Sequence, residues 1–335
     1  MARRDTSRLD EDDVRSRPTR HGSRARSKQR PAHVDATAGM VVSVDRGRYG
    51  VLLTETGVLL TAMRARELGR TGVVVGDRVE VVGDRSGATD TLSRIVRVSD
   101  RETVLRRTAD DNDPYERVIV ANADQLLIVT ALADPEPRYG LIDRCVVAAL
   151  TAGMEPLLLL TKADLAPPEE VLANYAELDI PAVVLAKGGD LTPLEQLLDG
   201  KITVLVGHSG VGKSTLVNRL VPGAGRTTGI VSDIGKGRHT STSAVALALP
   251  APITGWVIDT PGLRSFGLAH VTAQDMLWAF PDLEDGAVQC PGGCEHMSAA
   301  DGCRLDQWVA TGHSSISRLE AFRRLLTSRT DLGEP

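Results

Sequence analysis

The spacing of apolar positions changes three times along the chain. Between Ala36 and Arg106 they come in short β-branched or alternating runs: Met40–Val44, Val51–Thr54, Gly57–Thr61, Arg78–Val82 and Leu92–Val98. Gly- and Asp-rich turns separate these runs. Five short strands in so little chain predict a small closed barrel, an OB-fold or, on nearly the same pattern, an SH3-like barrel. From about Thr108 to Pro281 the runs are continuous and apolar, at Gln125–Ala131, Pro156–Thr161, Ala182–Ala186 and Ile202–Val206. Helical stretches at Ile142–Ala152, Glu169–Ala176 and Leu194–Leu198 lie between them. That alternation predicts a parallel sheet with helices on both faces. Ala244–Leu249 and Gly255–Ile258 add two more strands. Near the end, Ile316, Leu319, Phe322, Leu325 and Leu326 recur at helical spacing, with Arg318, Arg323 and Arg324 between them. This reads as a helix packed on the core. At the start there is almost no apolar residue. Val14–His33 carries Arg15, Arg17, Arg20, Arg24, Arg26, Lys28 and Arg30 and no acid. Such a stretch cannot bury a core and suits binding of RNA phosphates.

The expected organisation is a multidomain chain: a disordered basic tail over 1–35, a β-barrel (OB-fold) over 36–106, an α/β domain over 107–281 and a small α-helical metal-binding domain over 282–335. Composition narrows this little. The 335 residues are 42% hydrophobic and 25% charged, as in soluble globular proteins. No apolar run reaches the roughly 18 residues that span a bilayer. No apolar h-region follows the basic start, so neither a signal peptide nor a membrane partner is expected, and the location expected is cytoplasmic. A net charge of -5 leaves nucleic-acid contact to local patches. Tyr49 is the only aromatic residue of the barrel segment. A barrel without stacking platforms is expected to read RNA by backbone and shape, or to contact protein.

Gly207-His208-Ser209-Gly210-Val211-Gly212-Lys213-Ser214 fits G-x-x-x-x-G-K-[ST] in full. It follows the strand Ile202–Val206 and opens an apolar-periodic helix at Thr215–Leu220, the context this motif requires. Small residues let successive backbone N–H groups cradle phosphate oxygens, and the helix terminus adds to the attraction. Lys213 would reach the β- and γ-phosphates, and the Ser214 hydroxyl would ligate Mg²⁺. Asp259-Thr260-Pro261-Gly262 ends the strand Gly255–Ile258. Asp259 suits the Mg²⁺ shell, and Gly262 can offer its N–H to a γ-phosphate. The Gly-, Ser- and Thr-rich stretch Thr227–Thr242 reads as a switch loop, in which Thr240 or Ser241 would complete the Mg²⁺ shell.

Thr161-Lys162-Ala163-Asp164 follows the strand Pro156–Leu160 and is similar to the N-K-x-D element of GTP-binding proteins. The Asp164 carboxylate can accept from guanine N1 and N2, a donor pair that adenine lacks. The stem of Lys162 can cover the base. Thr161 stands where Asn is usual, and its shorter side chain is expected to forgo one contact. Leu185-Ala186-Lys187-Gly188 is similar to the last guanine element, S-A-K, and places a backbone N–H near Ala186 for guanine O6. These elements precede the phosphate loop, whereas ordinary GTPases carry them behind it. The same sheet is built if the chain is cut and rejoined elsewhere, which exposed termini tolerate.

Cys290, Cys294, His296 and Cys303 offer three thiolates and an imidazole within 14 residues, at C-x3-C-x-H-x6-C spacing. Such a set takes Zn²⁺ tetrahedrally in a closed structural site. The remaining cysteine, Cys145, sits in an apolar helix and reads as a buried core thiol.

The permuted order, the barrel in front and the Cys/Cys/His/Cys unit behind resemble the RsgA/YjeQ family of circularly permuted GTPases that depend on the small ribosomal subunit. Gly237–Thr242, Asp259–Arg264 with Phe266-Gly267-Leu268, and Ala123-Asp124-Gln125 carry the resemblance together with the phosphate loop. It covers the chain from about residue 36. It implies an OB-fold, a permuted GTPase and a zinc domain, GTP hydrolysis to GDP and phosphate stimulated by the 30S subunit, and a role in late maturation of that subunit; 16S rRNA is the expected nucleic-acid partner and a monomer the expected state. Where Ras-like enzymes carry a water-orienting Gln after D-x-x-G, this chain has Leu263, so another group must act. His239 in the switch loop is one candidate beside Lys213, since an imidazole can orient or deprotonate water; ribosomal RNA that supplies or positions the missing group is the other. A P-loop ATPase or kinase, or a ribosome-binding switch with little turnover, are the alternative readings.

Overall fold

A computed structural model describes residues 33–69, 72–88, 90–108, 116–223, 244–260, 268 and 271–328. The basic stretch Val14–His33, apart from its last residue, lies outside the described residues. The described residues from Asp35 onward form one compact unit.

Five strands make the barrel: β1 (Thr37–Asp45), β2 (Arg48–Leu53), β3 (Leu59–Arg64), β4 (Arg78–Val82) and β5 (Ser93–Val98). β1 pairs with β2 and β2 with β3, all antiparallel. β3 and β5 run parallel, β5 pairs with β4, and β4 closes the ring on β1. The β3–β5 parallel pairing comes from the connection that carries the chain past β4, as the closed five-stranded Greek-key barrel requires. Val41, Val51, Leu53, Leu60, Ala62, Val81 and Ile95 fill it. Tyr49 belongs to this core and is 7% exposed.

A hairpin of β6 (Val104–Thr108) and β7 (Glu116–Ala121) follows, and it spans the point where the sequence places the end of the barrel. Here Gly76 adopts φ 88°, and a Cβ on it would stand 1.9 Å from the Ala121 carbonyl oxygen. Only glycine lets the barrel approach this closely. The next residue, Asp77, is fully buried, and Arg101 grips both of its oxygens at 2.7 and 2.9 Å.

The α/β part contains β8 (Gln125–Ala131), α1 (Tyr139–Thr151), β9 (Glu155–Thr161), α2 (Glu169–Tyr175), β10 (Ala182–Leu185), α3 (Thr192–Leu198), β11 (Lys201–Val206), α4 (Lys213–Leu220), β12 (Val245–Ala248) and β13 (Gly255–Asp259). The strand order is β10-β9-β8-β11-β13-β12, parallel except for β12. Chain order reverses between β8 and β11, the switch point at which ligands bind in such sheets. Side chains alternate along β8: Leu126 and Ile128 face α1 and α2, while Leu127 and Val129 face α3 and α4. β1 also pairs with β12, through Ser43 and Val245, so barrel and α/β sheet are continuous.

The C-terminal helices α5 (Ala273–Leu277), α6 (Pro281–Ala287), α7 (Leu305–Ala310) and α8 (Ile316–Ser328) pack on the α1 face. Phe322 and Leu325 share one cluster with Cys145 and Val146. Cys145 is 1% exposed, as expected, and burial pushes its thiol up to about 12. No helix among the described residues is long and apolar enough to cross a membrane.

Candidate nucleotide site and metal centre

β11 delivers the chain to Gly207, where a Cβ would stand 2.2 Å from the Val129 carbonyl oxygen. The loop turns at Gly210 and Gly212, with φ 86° and 100°, and α4 starts at Lys213. Ser214 and Thr215 are exposed in its first turn. The Lys213 ammonium donates back to the carbonyls of Gly207 and of His208, the latter at 3.0 Å. Burial lowers the pKa of Lys213, and the charge of Asp259 opposes that shift. Asp259 ends β13 beside Leu205 of β11. Burial raises its pKa, and Lys213 pulls it back. A half-buried carboxylate facing a half-buried ammonium suits a cation and a polyphosphate arriving together. Thr260 is locked below, its hydroxyl donating to the Leu205 carbonyl at 2.8 Å.

The two segments that resemble guanine motifs stand at the ends of the neighbouring strands. Thr161 is buried, and its hydroxyl donates to the Val211 carbonyl of the phosphate loop at 2.7 Å, with the Thr130 carbonyl at 3.2 Å. The shorter side chain therefore tethers the end of β9 to the phosphate loop. Lys162 sits at φ 58° and its ammonium donates to the Asp134 carbonyl. Ala163 donates its N–H to the Leu185 carbonyl at 3.3 Å. Asp164 is exposed, and one of its oxygens accepts the Lys187 N–H at 2.8 Å. That bond brings the two elements together and leaves Ala186 and Lys187 exposed beside the carboxylate.

Ala123-Asp124-Gln125 works at the opposite end of the sheet. Asp124 accepts the Ile202 N–H at 2.6 Å, and Gln125 donates to the Thr203 hydroxyl at 2.8 Å and to the Leu197 carbonyl at 3.0 Å. These bonds stitch β8 to β11 and to α3.

His239, Thr240, Ser241, Gly262 and Leu263 lie outside the described residues. Two residues near the site escape the sequence reading. The Asp134 carbonyl depends on a turn of positive φ. Arg219 of α4, which reaches the Gly189 carbonyl at 2.5 Å, reads in the sequence as an ordinary basic residue near a helix end.

The ligand atoms of Cys290, Cys294, His296 and Cys303 all lie within 4.8 Å of one another. Cys303 Sγ is 3.9 Å from Cys290 Sγ and 3.7 Å from His296 Nδ1. Metal–sulfur bonds of about 2.3 Å set tetrahedral edges near 3.8 Å, so the donor set fits Zn²⁺. Burial, aided by the neighbouring cysteines, raises the Cys303 thiol to about 11. His296 reaches inward at φ 58°. Arg323 of α8 donates to the His296 carbonyl at 3.0 Å and grips Asp306 at 2.8 and 2.6 Å, which anchors the loop to the last helix.

The sequence profile of the RsgA GTPase family matches residues 98–269. The small ribosomal subunit biogenesis GTPase RsgA of Nitrosospira multiformis is 33% identical, over 87% of this chain and 90% of its own. Its counterpart from Ectopseudomonas mendocina is 40% identical, and there the match spans 63% of each chain. The fold is similar to that of YloQ, a circularly permuted GTPase, with a TM-score of 0.64 and 20% identity over 92% of this chain and 99% of that one. With the segments resembling guanine motifs at the ends of β9 and β10, ahead of the phosphate loop on β11, this chain belongs to the RsgA GTPase family and is a circularly permuted GTP hydrolase.

Proposed function

We propose that the chain binds the 30S ribosomal subunit through its 16S rRNA, hydrolyses GTP to GDP and phosphate with stimulation by that subunit, and assists the subunit's late maturation. The observation that carries this reading is the bond from Thr161 to Val211, which holds a guanine-type element against a complete phosphate loop. The names of the relatives supply the ribosomal context.

In this reading Thr161, Lys162, Ala163, Asp164, Ala186 and Lys187 hold the base. Residues Gly207–Thr215, with Asp259 and Gly262, hold the phosphates. On binding, Lys213 exchanges the Gly207 and His208 carbonyls for phosphate oxygens. Ser214 and Asp259, with a hydroxyl from Thr240 or Ser241, would hold Mg²⁺, which would neutralise charge on the β- and γ-phosphates. His239 orients or deprotonates the attacking water, because Leu263 has no polar group to do so. Zn²⁺ on the three thiolates and His296 would be structural, as four protein ligands leave no open position. The basic tail over 1–35 contacts rRNA phosphates. The barrel over 36–106, the GTPase over 107–281 and the zinc domain over 282–335 act together in a monomeric, cytoplasmic protein.

Phosphate release from GTP in Mg²⁺, with and without 30S subunits and with ATP as control, tests this. Strong stimulation by 30S for GTP alone is expected. Equal, slow release under every condition would overturn the reading.

A further inference from the structure

The last guanine element of this chain lacks the hydroxyl that its motif normally supplies. At that position Leu185 is buried with Leu216, Val217 and Leu220 of α4 and cannot hold the turn by hydrogen bonding. The turn that follows, Ala186–Gly189, is exposed or half-exposed and contains Gly188 at φ 72°. Backbone with so little packing needs specific bonds to keep one conformation. Three are present. The Lys187 N–H meets Asp164 at 2.8 Å, and the Gly189 N–H closes the turn on the Ala186 carbonyl at 3.0 Å. The third comes from outside the turn: the half-buried guanidinium of Arg219 donates to the Gly189 carbonyl at 2.5 Å. The positive charge of Arg219 also faces Asp190, whose carboxylate accepts both the N–H and the hydroxyl of Thr192 at the start of α3.

Arg219 lies on α4, the helix that opens with Lys213 and Ser214. It is six residues from Lys213, so one rigid helix carries the phosphate lysine at one end and a hold on the base turn at the other.

We propose that Arg219 is a positioning residue for guanine selection, fixing the Ala186–Gly189 turn to the phosphate-loop helix so that the Ala186 N–H stands ready for a purine O6. This rests on the reading of Asp164 and Ala186 as the guanine contacts. Arg219 spends its guanidinium on the Gly189 carbonyl. It acts through the turn, and it takes over the office of the hydroxyl missing at Leu185. A turn held in place favours a base with an O6 acceptor over one with an amino group there, so Arg219 sets base preference and not phosphate affinity.

The test is equilibrium titration of the full chain with GDP and with ADP, for wild type, Arg219→Ala and Arg219→Lys. Losing a hydrogen bond from a charged donor predicts a GDP/ADP preference about tenfold lower in Arg219→Ala, with ADP affinity retained. Lysine can reach the same carbonyl, so Arg219→Lys should recover most of the preference. An unchanged ratio in Arg219→Ala, or equal losses for GDP and ADP, would overturn the proposal and leave Arg219 a packing residue. Should Arg219→Ala fail to fold, Arg219→Gln, which keeps the helical stem without the charge, is titrated in its place under the same criteria. Asp164→Asn separates the two levels. An amide there should exchange GDP for XDP preference, since xanthine carries an acceptor at C2. If Asp164→Asn leaves base preference untouched, the guanine reading fails; if it shifts preference while Arg219→Ala does not, only the role of Arg219 fails.

Discussion

The Thr161 hydroxyl donates to the Val211 carbonyl at 2.7 Å, joining the end of β9 to the middle of the phosphate loop. Both partners are buried, so the bond is shielded from water. Replacing Thr161 with Val keeps the shape and removes the donor. The Val211 and Thr130 carbonyls then lose their partner at a cost of about 1–3 kcal/mol. The loop loosens where it must present N–H groups to phosphate. The expected result for Thr161→Val is about tenfold weaker GDP and ADP binding alike, read by titration. Thr161→Ser should stay within a few-fold of wild type. Undiminished affinity in Thr161→Val would show that the tether is idle.

The parallel strands are plain in the sequence because burial on both faces leaves continuous apolar runs, as at Gln125–Ala131, where every residue is buried. The barrel shows through its alternation, which follows from one face packing inward. The β6–β7 hairpin does not show. Arg106 and Arg107 interrupt its pattern, and its pairing depends on residues on the far side of a polar connection. The phosphate loop is legible because its chemistry needs small residues in fixed order. The tether is not, because a sequence shows Thr161 as a shortened Asn and says nothing of how near Val211 comes. Arg219 is invisible for the same reason: its partner is a backbone carbonyl 30 residues away.

Lys213 and His239 should separate under kinetic test. Removing the ammonium in Lys213→Ala takes away the main charge opposite the β- and γ-phosphates and should abolish GTP binding and turnover together. His239→Ala should leave GTP binding intact and lower 30S-stimulated turnover about 100-fold or more, the usual worth of a general base. Stimulated turnover that survives in His239→Ala would hand the catalytic role to the ribosome.

The metal centre is tested without any assay of turnover. Wild type should carry one zinc per chain by elemental analysis, and Cys294→Ser, which removes one of the four proposed ligands, should carry none. A metal bound at about 1,000 times its dissociation constant stabilises by about 4 kcal/mol, so the melting temperature should fall accordingly. Uptake must release protons, since the buried Cys303 thiol lies near 11 in the absence of metal. Zinc affinity should therefore rise with pH. A pH-independent affinity, or full zinc content in Cys294→Ser, would contradict the assigned ligand set.

The contact between α8 and α6, both in the C-terminal helical part, should give the chain an acid-sensitive step. Arg318 of α8 donates through Nε to both oxygens of Asp282, at 2.8 and 2.9 Å, and through Nη1 to the Glu177 carbonyl at 2.5 Å. Its guanidinium also lies over the Phe280 ring, 5.1 Å from the centroid. Burial alone would raise the Asp282 carboxyl, but the Ser314 hydroxyl and Arg318 together hold it below its ordinary value. A carboxylate depressed in the folded state stabilises above its unfolded pKa, and that contribution fades as pH falls through the folded value. The unfolded value is about 3.9, so the loss should set in below about pH 5. Asp282→Asn cannot titrate and should show a flatter acid limb in denaturant melts between pH 7 and pH 3. Arg318→Met keeps the packed stem but leaves Asp282 without its cation, and should cost about 2 kcal/mol at pH 7. If Asp282→Asn follows the wild-type acid limb, the sensitivity lies elsewhere in the chain.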